Sequence, residues 1–185
     1  TKIVATLGPA SSDPALLEEM IRAGVNVVRL NFSHGKAQDH IDRASMVRQA
    51  AQRAGREVAI MADLQGPKIR VGKFAEDIHA VGLDYKALPR EVKAGDILLL
   101  NDGLIVITVD AVKGESVHTT VKLGGELSNN KGINKQGGGL TAPALTGKDM
   151  EDIRTAMAFQ ADYVAVSFPK NATDMEMARQ LCNVA

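Results

Sequence analysis

Residues 25–67 run VNVVRLNFSHGKAQDHIDRASMVRQAAQRAGREVAIMADLQGP, and they decide the fold class. Residues 25–30 (VNVVRL) and 58–64 (VAIMADL) are short, mostly apolar and rich in aliphatic side chains, as strands covered on both faces are. Between them, residues 38–54 read as a helix, and Gly55 supplies its stop. The same alternation extends outward. Upstream, residues 2–7 (KIVATL) read as another buried strand, broken by Gly8-Pro9. Asp13-Pro14 offers an N-cap followed by proline at the first helical position. Leu16, Leu17, Met20 and Ile21 then repeat at helical spacing, and Gly24 fits the C-cap. Downstream, Thr146 caps a helix over about residues 148–159, with Asp149 three positions on as a variant of the capping box. Residues 163–168 (YVAVSF) read as a fourth buried strand, and residues from 174 onward as a fourth helix. Apolar strands alternating with amphipathic helices predict an α/β fold: a parallel sheet with helices outside it.

Residues 69–142 break this alternation. Their periods are short and strand-like, and no helix is expected among them. Residues 97–100, Asn101-Asp102-Gly103 and residues 104–109 read as a β-hairpin on a tight Asp-Gly turn, and residues 116–122 as a further strand. Gly124-Gly125 and Gly137-Gly138-Gly139 flank a polar stretch. The expected organisation is three βα units over 1–70, an all-β insert over 71–142 and the resumed βα pattern over 143–185. The glycine-rich re-entry would let the insert move as a lid.

Composition narrows the function classes. Of 185 residues, 45% are apolar and 24% charged, ordinary values for a soluble globular protein. Four Phe, two Tyr and no Trp leave little for base-stacking nucleic-acid modules. Twenty-two basic residues balance 22 acidic ones, so no global field draws nucleic acid or an anionic membrane. No apolar run approaches the roughly 20 residues that span a bilayer. The single Cys182 makes no internal disulfide, which fits a reducing, cytoplasmic compartment. No dinucleotide-binding glycine fingerprint follows a strand, and Gly147-Lys148 lacks the Ser or Thr of a phosphate-binding P-loop. His34, His40, His79 and His118 have no zinc-ligand spacing.

Two polar clusters lie where predicted strands end, the side on which α/β sheets bind ligands. In the first, Arg29-Leu30-Asn31-Phe32-Ser33-His34-Gly35, an arginine offers a planar fork of donors for phosphate or carboxylate. Asn31 and Ser33 offer oxygen ligands to a hard cation. The alternative is a polar loop that caps the next helix. In the second, Asp63-Leu64-Gln65-Gly66-Pro67-Lys68-Ile69-Arg70, a carboxylate at a strand mouth can bind a metal or simply pair with a cation. A third cluster, Leu127 to Asn134, lies in the insert; its Lys131 could close over a phosphate, or it is a surface loop.

The segments TKIVATLGPASSD, NVVRLNFSHG, MADLQGPKIRVG, LNDG, NNKGIN and DYVAVSF occur in this order, spread from Thr1 to the end of the chain. Together they closely resemble pyruvate kinase, bacterial forms above all. The resemblance implies part of a (β/α)8 barrel with a small β-barrel lid inserted after the third strand. It implies transfer of a phosphoryl group from phosphoenolpyruvate to ADP, giving pyruvate and ATP in glycolysis. Such transfers rest on positioning and charge neutralisation. Matched by motif, Arg29 is the arginine that meets the transferring phosphoryl group. Asn31, Ser33, Asp63 and the carbonyl of Leu64 match a monovalent-cation pocket. Asn31, Phe32, Ser33, His34, Arg70 and Lys131 match positions around the nucleotide phosphates, and Asp102 matches a lid residue. Lys68 stands where potassium-dependent members carry Glu. A tethered ammonium there would replace K⁺, unless it only reaches to solvent.

The family's catalytic lysine and acidic Mg²⁺ ligands lie on later strands, so the resemblance implies activity only in a complete polypeptide, with Mg²⁺ held mostly by residues outside this chain. It also implies a homotetramer. The alternative is a non-catalytic phosphate- or nucleotide-binding fragment. Relative to the family, the lid between Phe74 and Gly82 is short, either because it is reduced or because residues are missing near 75–82.

Overall fold

The computed structural model describes residues 1–74 and 79–185. The chain begins with β1 (Val4–Thr6), α1 (Pro14–Arg22), β2 (Val27–Asn31), α2 (Ala37–Ala54) and β3 (Ala59–Asp63). It continues through one helical turn, α3 (Leu88–Glu91), and strands β4 (Ile97–Leu100), β5 (Ile105–Lys113), β6 (Ser116–Leu123) and β7 (Ile133–Lys135). It closes with α4 (Gly147–Ala158), β8 (Tyr163–Ala165) and α5 (Ala172–Val184). These elements form two compact units, Thr1–Pro67 with Pro143–Ala185, and Lys68–Ala142.

The first unit is α/β, with a four-stranded sheet in the order β1-β2-β3-β8, parallel throughout. Local chemistry sets its helix ends. The Asp13 carboxylate accepts from the amides of Ala15 and Leu16 at 3.0 and 2.9 Å, and Pro14 opens α1. Gly55 ends α2 at φ 64°, where a side chain would be strained. Gly24 follows the α1 cap, Ala23, at φ 120°. Strand alternation then divides the labour of the two sheet faces. Val28, Leu30, Ile60 and Ala62 are buried with Leu17 and Ile21 of α1, Ala44 and Val47 of α2 and Ala156 of α4. Burial of each larger aliphatic side chain stabilises by about 1.5–3 kcal/mol. Val27, Arg29, Asn31, Ala59, Met61 and Asp63 lie on the opposite face and are half-buried.

The expectation of strands buried on both faces is therefore corrected at the two edges. Val4 of β1 is 52% exposed and Tyr163 of β8 58%. The helices pack on one face only, and the edge strands have a neighbour on one side. The fourth strand also ends at Ala165 rather than residue 168.

The second unit carries an antiparallel sheet in the order β6-β5-β4-β7. It begins at Lys68 because the Ile69 carbonyl accepts from Ile133 and Arg70 bridges to Gly132. Ile69, Val71, Leu98, Leu100, Ile105, Val109 and Ile133 form its core with Leu88 and Val92. Three sequence expectations change here. The block does contain a helical turn, α3, too short to display a helical period; Pro89 near its start favours the turn and Leu88 is buried beneath it. The expected hairpin forms, but Leu100 pairs with Ile105, so four residues make its turn rather than a tight Asp-Gly pair; Asn101, Asp102 and Gly103 have φ of 50°, 57° and 89°, a run of left-handed backbone that Asn, Asp and Gly tolerate. Part of the third polar cluster is strand β7, which pairs with β4 through Leu100↔Ile133. Residues 75–78, within the lid stretch expected to be short, lie outside the described residues; beside them Gly72 donates to the Gly82 carbonyl at 2.7 Å. Among the described residues, no helix is long and apolar enough to cross a membrane.

Candidate functional site

Register places the first cluster. β1 and β2 pair Thr6 with Arg29, β2 and β3 pair Asn31 with Asp63, and β3 and β8 pair Asp63 with Ala165. Arg29, Asn31 and Asp63 alternate with buried residues, so all three stand on the face away from the helices, at the C-terminal ends of adjacent parallel strands. Arg29 Nε donates to Asp63 Oδ2 at 2.6 Å, Nη2 pairs with the same oxygen, and Nη1 donates to Thr6 Oγ1 at 3.0 Å. The guanidinium is thus oriented from two strands. Its five N–H donors exceed these partners, which leaves capacity for an oxyanion.

Beyond β2 the chain turns sharply. Asn31 Oδ1 accepts from the Ser33 amide at 3.0 Å, and the His34 amide donates to the Asn31 carbonyl at 3.3 Å. Ser33 is half-buried and His34 exposed. Phe32 points the other way. Its side chain is 2% exposed and stacks on His40, with ring centroids 4.0 Å apart and planes at 16°. Phe32 therefore offers the loop its backbone, not its ring. At the end of β3, the Leu64 side chain is buried while its carbonyl accepts from Ser167 Oγ at 2.5 Å; the same hydroxyl lies 3.3 Å from Asp63 Oδ1. The set of oxygens on Asn31, Ser33, Asp63, Leu64 and Ser167 is the donor chemistry of a hard cation. Ser167 escaped the sequence reading; the hint was its place just after an apolar run, as with Asn31 and Asp63.

A second layer supports these loops. Lys148, on the first turn of α4, donates to the Phe32 carbonyl at 2.8 Å and to Asp152 Oδ2 at 2.5 Å. His40 Nε2 donates to the His34 carbonyl at 2.9 Å, which fixes the proton on that nitrogen, and Nδ1 is buried with no hydrogen-bond partner among the described residues. Burial pushes the His40 pKa down and that of Asp152 up, the latter against the pull of Lys148. Asp149 is fully buried; it accepts from the Gly66 amide at 2.9 Å and from the Thr146 amide and hydroxyl at 2.7 and 2.6 Å. The sequence showed Asp149 only as half of a capping box, and Lys148 only as a failed phosphate-loop lysine.

The remaining sequence-derived residues belong to the second unit. Arg70 Nη1 donates to the Asn130 carbonyl at 3.4 Å, and its amide to Asp84 Oδ1 at 2.8 Å. The Lys131 carbonyl accepts from Val71 at 3.0 Å, so Arg70 and Lys131 share one corner. Asn101, beside Asp102, donates to the Gly132 carbonyl at 3.0 Å. The stem of Lys68 runs past Gly132, where an added methyl would meet its Cε at 3.5 Å. Among the described residues, no three Asp, Glu, His or Cys side chains cluster as metal ligands. The described residues therefore do not by themselves fit a carboxylate-rich Mg²⁺ centre.

The family model for the barrel domain of pyruvate kinase matches residues 1–81 and 75–185. The chain belongs to the pyruvate kinase family. Its four parallel strands and their helices are accordingly part of a β/α barrel. It is 51% identical to pyruvate kinase II of Salmonella typhimurium, over all of this chain and 43% of that protein. It is 49% identical to a pyruvate kinase of Haemophilus influenzae, over 100% of this chain and 43% of the relative. It is 42% identical to one of Mycobacterium tuberculosis, over 97% of this chain and 42% of the relative. The chain thus spans less than half the length of these relatives. The Salmonella alignment runs over 207 positions against 185 residues here, so some of that protein's residues in the matched region have no counterpart in this chain.

Proposed function

We propose that this chain supplies the phosphoryl- and cation-facing part of a pyruvate kinase, which transfers the phosphoryl group of phosphoenolpyruvate to ADP and yields pyruvate and ATP in the cytoplasm. One observation carries the proposal: the Arg29–Asp63 pair stands beside Asn31, Ser33 and the Leu64 carbonyl at the ends of adjacent parallel strands. In this role Arg29, oriented by Asp63 and Thr6, meets the transferring phosphoryl group and neutralises its oxygens. Asn31, Ser33, Asp63 and the Leu64 carbonyl take a monovalent cation or the positive charge that replaces it, and Lys68 supplies that charge. The Asn31–His34 turn, Arg70 and Lys131 attend the nucleotide phosphates, and Asp102 takes the role of the family's lid residue. Mg²⁺, when bound on other ligands, would neutralise the phosphoryl oxygens. Assembly as a homotetramer follows the family.

The test is ATP formation from phosphoenolpyruvate and ADP, with Mg²⁺, by the protein that carries this sequence. Arg29→Met should lower kcat by at least about a hundredfold, the usual cost of losing one transition-state charge partner. Wild-type protein that binds ADP yet forms no ATP would instead favour a phosphate-binding module.

A further inference from the structure

We infer that Lys148 is a positioning residue for the proposed phosphoryl transfer: through the Phe32 carbonyl it sets the turn that presents Asn31, Ser33 and His34. The inference rests on the proposed function. The Phe32 peptide is gripped from several sides. Its amide donates to the Asp63 carbonyl at 3.0 Å, its carbonyl accepts from Lys148 at 2.8 Å, and its ring is stacked on His40. His40 in turn holds the next peptide but one, through the His34 carbonyl. The residues on either side of Phe32, Asn31 and Ser33, are those that face the site.

The neighbouring residue of the same helical turn acts on the other loop. Asp149 accepts from the Gly66 amide, two residues past Leu64. The first turn of α4 therefore braces both strand-end loops at once, with a cation on one and an anion on the other. A loop held this way meets its ligand without first being ordered, and that ordering would otherwise weaken binding and misalign the reacting groups. Lys148 itself is about half exposed, at 48% of its side chain, so its removal opens no cavity. It can be changed without dismantling the core, which separates positioning from folding.

The experiment compares wild-type protein, Lys148→Met and Lys148→Arg. Methionine keeps most of the stem and removes the ammonium; arginine restores a cationic donor. Three quantities are read: kcat and KM for phosphoenolpyruvate and ADP, thermal midpoint, and amide hydrogen exchange of the peptide covering residues 29–36. Lys148→Met should lower kcat/KM about tenfold, the scale of one charge-assisted hydrogen bond. It should speed exchange in residues 29–36 and shift the midpoint by no more than about 3 °C. Lys148→Arg should recover most of the loss. Unchanged exchange in residues 29–36, unchanged kcat/KM in Lys148→Met, or a loss that tracks the thermal midpoint without recovery in Lys148→Arg would each overturn the inference. Wild-type protein without transfer activity would sink the proposed function instead, and the exchange data alone would then show whether the brace exists.

Discussion

Replacing Asp149 by Ala removes a fully buried carboxylate that accepts three short hydrogen bonds, from the Gly66 amide, the Thr146 amide and the Thr146 hydroxyl. A hydrogen bond to a charged acceptor contributes about 1.5–3 kcal/mol. These three share one carboxylate, the Gly66 amide on Oδ1 and both Thr146 donors on Oδ2, and do not add in full. Deleting the carboxylate also relieves the cost of holding a charge away from water. The residue of these opposing effects is a loss of about 3 kcal/mol, most of it from the buried Gly66 amide left without its partner. For a protein of this size that corresponds to a fall of about 6–12 °C in Tm. Calorimetric or urea unfolding of the protein carrying this sequence measures it. Asp149→Asn should fall between, because one amide oxygen still accepts while the NH₂ group faces a donor. An Ala variant within about 0.5 kcal/mol of wild type would refute the reasoning, since surface substitutions of no structural consequence already vary that much.

Gly66→Ala forces a methyl to 2.7 Å from Phe168 Cδ2 at φ 64°; the left-handed backbone costs about 1–2 kcal/mol and the ring must swing toward solvent, so a denaturant midpoint equal to wild type would contradict it. His40, buried and neutral, should make stability depend on pH. The unfolded imidazole takes up its proton from about pH 6.5, while the native one resists until its depressed value, so stability holds above that pH and is lost as pH falls through the interval. Asp152, with its pKa raised, acts oppositely in its own window: its contribution is present at low pH and lost as pH rises through the raised value. The His40→Phe variant, compared with wild type across this range by thermal unfolding, should lack the loss below about pH 6.5; identical profiles would count against the buried imidazole. If Lys68 replaces K⁺, wild-type transfer should change less than about twofold on K⁺ removal, and Lys68→Glu should introduce K⁺ dependence, as an exchange of a fixed charge for a bound one; a wild type that already requires K⁺ would reject the role.

The alternation of strands and helices was legible because strand period, helix caps and glycine stops agreed at each step. Asp13-Pro14 and Gly55 act as their chemistry suggests. What escaped the sequence was set by distance along the chain. Pro89 is the one local hint of a helical turn at residues 88–91, and nothing local to 133–135 marks a strand; α3 is favoured further by burial of Leu88, and β7 by pairing with β4. The cluster around Arg29 was visible as polar residues at strand ends, yet its pairing with Asp63 depends on a register between residues 34 positions apart. Ser167, Lys148 and Asp149 were harder still. They act through backbone carbonyls and amides of loops roughly a hundred residues away, and no side-chain pattern announces such a contact.

The Asp149 carboxylate also bears on how this architecture changes over evolutionary time. Gly66 lies one residue before the chain leaves the first unit, and Thr146 lies three residues after it returns. Both ends of the excursion are fastened to one side chain that belongs to the host unit. An excursion whose ends are pinned so close together can shorten or lengthen with little effect on its host, because closure entropy varies only slowly with length.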